Sequence, residues 1–338
     1  MARKPKKKGG ARYKRVVLSL PKRLYYVLNG IAMGDERKLN RLIKGILEDK
    51  LMESTVSELE LYLGRGEEHP RAGMISDRVR SLSPYKTETT PARIKLSSNE
   101  LSLELPEFVK KRLAEEVSRI PFHRYPDPEA RLLKEAIAQR FGLREENLLL
   151  GNGSDELIYY LSMAVGEFSR GIFYPVPTFS MYGISAQALG RERVEVRLKE
   201  DLSIDLQESL RAIREKRPAL AYFAYPNNPT GNCFEEDKIK SIAEEVPFTV
   251  VDEAYYHYSG KSFVERALSR QDTVVLRTLS KIGMAGLRVG FMVGNEEVVR
   301  ELNKLRLPFN ITFPSQVMAR LMLTEFYWLI EEHVKEVV

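Results

Sequence analysis

Short apolar runs recur along the chain from Leu148 onward, each closed by glycine, proline or a polar turn. Their β-branched and aromatic content predicts buried strands at Leu148–Leu150, Ile172–Tyr174, Val194–Leu198, Ala219–Ala224, Phe248–Val251, Thr273–Leu279 and Val289–Val293. Amphipathic stretches such as Glu156–Val165, Asp205–Glu215 and Glu235–Glu245 fall between them and predict helices. Strands alternating with helices predict an α/β fold on a mostly parallel seven-stranded sheet. In such a sheet ligands sit at the carboxyl ends of the strands.

The first 73 residues follow a different pattern. Met1–Gly10 is Lys-rich and predicts a disordered arm. Arg15–Leu20 alternates enough for a short strand, and Pro21 suits a helix's first turn. Leu24, Val27, Leu28 and Ile31 then stripe one helix; Gly34-Asp35 is a stop and a new N-cap; Leu39, Leu42, Ile43, Ile46 and Leu47 stripe a second. Residues 54–73 break into Gly, Glu, His and Pro and predict a linker. A strand and two helices over residues 12–52 resemble a ribbon–helix–helix module, which implies pairing with a second copy and DNA as a partner through residues 1–53. Two other readings stand beside it. One is a basic helical extension of the main domain; the other is a fused or over-extended reading frame, since residue 74 opens a self-consistent protein. The expected division is therefore a basic extension (1–53), a linker (54–73) and a main domain (74–338).

Charge changes the picture only locally. The formal net charge is +6, yet residues 1–23 hold ten Lys/Arg and no acid, leaving 43 Lys/Arg against 47 Asp/Glu in the rest. Nucleic-acid binding, if present, belongs to the arm. The 338 residues suffice for a large domain and a smaller one. No apolar run approaches the ~20 residues of a membrane span, and the basic N-terminus lacks a signal peptide's apolar core. A single cysteine, Cys233, excludes internal disulfides and fits a reducing compartment, so a cytoplasmic location is expected.

Candidate chemistry gathers at the predicted strand ends. Gly151-Asn-Gly-Ser-Asp155 follows the first strand and opens a helix, which suits either a phosphate cradle or a plain capped turn. Pro177-Thr-Phe-Ser-Met-Tyr182 places an aromatic where a ring ligand could stack. Asn227-Asn-Pro-Thr-Gly231 is a turn whose Asn228 is restrained by the following proline. Asp252 ends an apolar strand, where an ionised carboxylate needs a cation or donors. A protonated pyridine nitrogen would serve, with Tyr255 three residues on to meet a phenolic oxygen. His257, a lone histidine in an aromatic cluster, reads as structural. Lys281 stands at the exit of the sixth strand and Arg288 seven residues later, an amine and a guanidinium suited to carbonyl chemistry anchored by a phosphate.

These parts, in this order, resemble the class I/II, fold-type I aminotransferases, and among them the histidinol-phosphate aminotransferase family. The resemblance runs from about Met74 to Val338 and rests on Leu-Ser-Ser-Asn-Glu (96–100), Arg-Tyr-Pro-Asp-Pro (124–128), Gly-Asn-Gly-Ser-Asp-Glu (151–156), Tyr-Pro-Asn-Asn-Pro-Thr-Gly (225–231) and Leu-Ser-Lys (279–281) taken jointly. It implies a three-layer large domain and pyridoxal 5′-phosphate as cofactor. By the resemblance Lys281 bonds the cofactor's aldehyde and carries the proton, Asp252 pairs with the ring nitrogen, and Tyr255 and Asn228 hold the ring oxygen. Phe179 takes the stacking position, while Ser154, Asp155, Thr278, Ser280 and Arg288 hold the phosphate. Tyr125 would reach the cofactor phosphate of a partner subunit, implying a homodimer, and Asn99 would line the substrate pocket. The implied reaction moves an amino group between an amino donor and a 2-oxo acid, L-histidinol phosphate and 2-oxoglutarate, in histidine biosynthesis.

Two departures qualify the resemblance. The Lys281–Arg288 spacing is one residue shorter than in many relatives. The chain also stops at Val338, before the small C-terminal domain that supplies the family's carboxylate-binding arginine, so a truncated and inactive form is an expectation. Two further readings remain open: a DNA-binding regulator with an aminotransferase-like sensor domain, and another aminotransferase or a decarboxylase on the same fold.

Overall fold

The computed structural model describes residues 22–33, 35–53, 75–83, 91, 93–101 and 104–338. The chain divides into two compact units, Met1–Ile75 and Ser76–Val338. In the first, helices α1 (Lys22–Ile31) and α2 (Glu36–Glu53) fall where the apolar spacing predicts them. Asp35 caps α2 as expected, its Oδ1 accepting from the N–H groups of Arg37 and Lys38 at 2.8 and 3.2 Å. Ala32, just after α1, and Leu39, on α2, are buried, whereas Leu24, Val27 and Ile31 of the predicted α1 stripe are exposed. The predicted arm at 1–10, the strand at Arg15–Leu20 and the linker at 54–73 lie outside the described residues.

The second unit is built on one seven-stranded sheet: β1 (Leu148–Asn152), β2 (Ile172–Val176), β3 (Arg193–Arg197), β4 (Leu220–Ala224), β5 (Phe248–Asp252), β6 (Thr273–Thr278) and β7 (Val289–Val293). Every predicted strand is present, with ends within two residues of expectation. The spatial order is β1-β7-β6-β5-β4-β2-β3. All adjacent pairs are parallel except those made by β7, which runs antiparallel to both β1 and β6.

Alternation along each strand builds two cores, one per face. On β4, Leu220, Tyr222 and Ala224 face one core while Ala221 and Phe223 face the other; on β6, Val274 and Leu276 oppose Val275. A sheet covered by helices on both faces needs apolar side chains in both directions, hence the near-continuous apolar runs in the sequence. The β2–β4 ladder stops after Phe173↔Ala221. Pro175, next on that side, has no N–H to donate.

Strand polarity then assembles the site. β1, β2, β4, β5 and β6 all end at one edge of the sheet. Because β7 is antiparallel, its start lies at the same edge, with Val289 opposite Asn152 and Gly290 opposite Thr278. Arg288, just before β7, is thereby delivered beside the loops that follow the other strands.

Candidate active site

At this edge lies a cavity of about 710 Å³ whose walls include Asn99, Ser154, Asp155, Phe179, Tyr182, Asn228, Asp252, Tyr255, Thr278, Ser280, Lys281 and Arg288. Eleven of the twelve site residues expected from sequence therefore border one space; Tyr125 does not.

Asp252 closes the floor. As the last residue of β5 it is only 3% exposed. Its Oδ2 accepts from the Tyr182 hydroxyl at 2.8 Å and its Oδ1 from the Ala254 N–H at 3.1 Å. Burial pushes its carboxyl up to about 6, while the two hydrogen bonds pull the other way. Tyr255 stands on the next turn, its hydroxyl accepting from Asn99 Nδ2 at 2.9 Å; burial raises this phenol as well. The same Asn99 amide lies 3.5 Å from Asn228 Oδ1. Asn99 takes a left-handed backbone (φ 51°), a conformation asparagine accepts more readily than most residues. Asn227, next to Asn228, is buried and pins the turn: its amide donates to the Pro177 carbonyl and Thr230 Oγ1, and its Oδ1 accepts from Thr178. The two adjacent asparagines thus divide the work, one holding the loops together and one lining the cavity.

Lys281 sits in a single tight turn, Ser280–Ile282, directly beyond β6. Its Nζ donates to the Ser98 carbonyl at 2.9 Å. Its own carbonyl accepts from the Tyr258 hydroxyl at 2.5 Å, which fixes the turn. Burial lowers the ammonium's pKa, enlarging the fraction present as free amine.

The opposite wall is donor-rich and carries the Arg288 guanidinium paired with the Asp155 carboxylate. The N-cap of the Ser154–Ala164 helix is Gly153, which has no side chain to cap the first-turn N–H groups. Arg288 Nη2 pairs with Asp155 at 2.8 Å and its Nη1 lies 3.5 Å from Ser280 Oγ. Thr278 Oγ1 accepts from the Ser280 N–H at 3.1 Å and holds the strand exit in place. Two glycines make this convergence possible. A Cβ on Gly153, where φ is +78°, would lie 2.4 Å from Arg288 Nη2; one on Gly290 would lie 2.4 Å from the Ser154 nitrogen. Phe179 borders the cavity with its ring edge-to-face on Tyr182, centroids 5.7 Å apart.

Residues 91–333 match the family model for aminotransferase class I and II. The histidinol-phosphate aminotransferase of Aquifex aeolicus is 57% identical over 265 residues, 78% of this chain and 75% of that protein. That of Hydrogenobaculum sp. is 44% identical over 262 residues, 78% of this chain and 74% of that protein. The chain belongs to the histidinol-phosphate aminotransferase family of class I and II aminotransferases. In three dimensions the chain is similar to the histidinol-phosphate aminotransferase of Sinorhizobium meliloti in complex with pyridoxal-5′-phosphate. The TM-score is 0.64 at 23% identity, over 71% of this chain and 66% of that one, which establishes the shared fold.

Pyridoxal 5′-phosphate is the cofactor of class I and II aminotransferases, and the cavity's donor set fits it. Among the described residues the buried Asp252 carboxylate makes no salt bridge, and it matches a protonated ring nitrogen. Gly153 and Gly290 let Arg288 and β7 approach the helix start so closely that a methyl at either position would collide with Arg288 Nη2 or the Ser154 nitrogen, which sets N–H groups and a guanidinium side by side as an anion site needs. Lys281 supplies an amine at the wall between them.

Tyr125 is 78% exposed and stacks on Phe309, centroids 4.5 Å apart. It is not among the residues that line this cavity. His257 bonds Tyr327 at 3.1 Å, and burial lowers its imidazole to about 4, in keeping with a structural role. The sequence reading missed Tyr182 as Asp252's donor. Its spacing of three from Phe179, at the start of the Met181–Leu189 helix, was the available signal. It also missed the Ser98 carbonyl that meets Lys281, a backbone group that no side-chain pattern encodes. Among the described residues no helix is long and apolar enough to cross a membrane.

Proposed function

We propose that the chain transfers an amino group from L-histidinol phosphate to 2-oxoglutarate, yielding imidazole-acetol phosphate and L-glutamate. The observation that carries this is the convergence of Lys281, Asp252 and Arg288 on one cavity, within a chain 57% identical to a histidinol-phosphate aminotransferase. Bound there, pyridoxal phosphate supplies an electron sink for the charge left when the donor's Cα loses its proton. The N–H groups of Ser154 and Asp155 at the helix start, with Thr278, Ser280 and Arg288, would hold the phosphate, Phe179 would pack on the ring, and Asn228 and Tyr255 would take the ring oxygen. Asp252 holds the proton on the ring nitrogen. Lys281 Nζ, present as free amine in a larger fraction because burial lowers its pKa, would take the proton from the donor's Cα and deliver it to the carbon that receives the amino group. Asn99 orients Tyr255 and borders a second cavity of about 870 Å³, which shares Asn99, Asn228 and Tyr255 with the first and gives the substrate room to enter.

In this reading Tyr125, exposed beside Phe309, reaches the cofactor phosphate of a second copy, which makes the working form a homodimer in the cytoplasm. Residues 1–53 are proposed to contact DNA; α2 presents exposed Lys38 and Arg41. A salt-dependent shift of duplex DNA that disappears when residues 1–53 are deleted supports that contact, and an undiminished shift refutes it.

The enzymatic reading is tested by one half-reaction. L-Histidinol phosphate added to cofactor-loaded protein is expected to bleach the aldehyde form's visible band, and 2-oxoglutarate to restore it. Lys281→Ala should lack that band altogether. An unchanged spectrum in Lys281→Ala refutes the assignment of the lysine, and bleaching by L-histidinol equal to that by its phosphate ester refutes the substrate.

A further inference from the structure

Tyr182 is fully buried, and its hydroxyl does one thing: it donates to Asp252 Oδ2 at 2.8 Å. The ring is held by packing that leaves it no freedom. It lies flat on Tyr222, centroids 4.6 Å apart and planes 3° from parallel, and meets Phe179 edge-on. Tyr222 is anchored in turn, its hydroxyl donating to the Ile158 carbonyl at 3.0 Å and lying 2.9 Å from Ser162 Oγ. Gly183 lets the helix that carries Tyr182 approach β2 closely, since a Cβ there would lie 2.5 Å from the Tyr174 hydroxyl.

We propose that Tyr182 is a positioning residue that keeps the Asp252 carboxylate ionised and aimed into the cavity. This rests on the reading of Asp252 as the partner of the cofactor's ring nitrogen and names what makes that partnership work near neutral pH.

The reasoning is electrostatic. Asp252 has been taken out of water, which favours its neutral form. The acidic groups facing it, Asp155 across the cavity and Glu253 next in the chain, favour the neutral form further. Lys281 across the cavity favours the anion, and Tyr222 and Tyr255 contribute only neutral phenols. Two hydrogen-bond donors oppose the desolvation, the Ala254 N–H and the Tyr182 hydroxyl. The Ala254 donor is backbone and survives any substitution. Tyr182 is therefore the side-chain hydrogen-bond donor that holds the carboxylate ionised. A neutral carboxyl would have no negative charge to offer a pyridinium. By occupying Oδ2, Tyr182 also fixes the carboxylate's rotation.

The test is Tyr182→Phe, which keeps the ring and its stacking on Tyr222 and deletes one oxygen. Equilibrium dialysis of pyridoxal 5′-phosphate across pH 5–9, on the full chain, gives the affinity profile; ¹⁵N-labelled cofactor reports by NMR whether the ring nitrogen carries a proton. In the wild type, affinity is expected to fall as Asp252 is protonated. In Tyr182→Phe the midpoint of that fall should move upward by about one pH unit, the worth of a hydrogen bond to a charged group. The ring nitrogen should lose its proton at lower pH than in the wild type. Asp252→Asn serves as the control, and its affinity should show no such midpoint. If Asp252→Asn retains the wild-type profile, the reading of Asp252 itself falls. If Asp252→Asn loses the midpoint while Tyr182→Phe matches the wild type, only the role of Tyr182 falls. Tyr182→Phe with lowered thermal stability but an unmoved midpoint also overturns the proposal, since a merely structural residue would behave in that way.

Discussion

At Gly290 the lack of a side chain lets β7 press against the backbone that opens the Ser154–Ala164 helix. A methyl there meets backbone atoms, the Ser154 nitrogen at 2.4 Å and the Gly153 carbonyl carbon at 2.5 Å, and neither can swing aside as a side chain would. Gly290→Ala is expected to cost about 1–3 kcal/mol in urea unfolding and to weaken cofactor binding; a variant of unchanged stability and affinity would refute the cradle. Asp252 and His257 make a second case, because they titrate in opposite senses. Burial raises Asp252 from 3.8 to about 6, so its contribution to stability is complete below pH 4 and is lost as pH rises through 6. Burial lowers His257 from 6.5 to about 4, so its contribution is complete above 6.5 and is lost as pH falls through 4. Each shift is worth on the order of 3 kcal/mol, and in the cofactor-free protein the two largely offset between pH 4 and 6.5. Asp252→Asn removes one of them, so the stability of that variant should climb with pH across this window. A flat thermal-midpoint profile in the variant would contradict the assigned titrations.

Among the elements, the strands were legible because a sheet covered on both faces demands apolar residues at every position, which leaves an unmistakable run such as Leu220–Ala224. Most of the site was legible for a related reason. Its residues follow strand ends, and parallel polarity brings strand ends together wherever the strands lie in the order. Arg288 needed more, since it precedes its strand and reaches the site only because β7 is antiparallel. The buried pair Arg277–Glu253 was not foreseen. Arg277 on β6 reaches Glu253, the residue after β5, at 2.9 Å, and its guanidinium lies 3.6 Å from the centroid of the Tyr256 ring. In sequence these are two ordinary charges, and only the β5–β6 register shows that they meet. Glu253 also accepts from the Phe263 N–H and the Ser262 hydroxyl, so the pair ties the loop after β5 to the sheet behind Asp252 and Tyr255. Arg277→Met leaves that carboxylate buried without its cation and should cost about 3–5 kcal/mol by urea unfolding. Adding Glu253→Gln to it should recover part of the loss; a single variant as stable as wild type would show that the pair does not anchor the loop.

For the molecule taken whole, each unit was legible to a different depth. In Met1–Ile75 the sequence located both helices and the Asp35 cap, and Leu24, Val27 and Ile31 of α1's apolar stripe are exposed, in keeping with a unit too small to bury its own apolar faces. Periodicity reports which face is apolar and carries no information about what covers it. In Ser76–Val338 sheet, site and family follow from one another: strand polarity gathers the loops, the loops gather an amine, a carboxylate and an anion cradle, and that set suits pyridoxal phosphate. The central claim is that Lys281 is the amine that bonds the cofactor. The most direct test loads the protein with pyridoxal 5′-phosphate, reduces it with borohydride to make the bond permanent, and maps the modified peptide by mass spectrometry. The modification is predicted on Lys281 at near-stoichiometric yield. Modification of another lysine, such as Lys95 at the neighbouring cavity, or none at all, would contradict it.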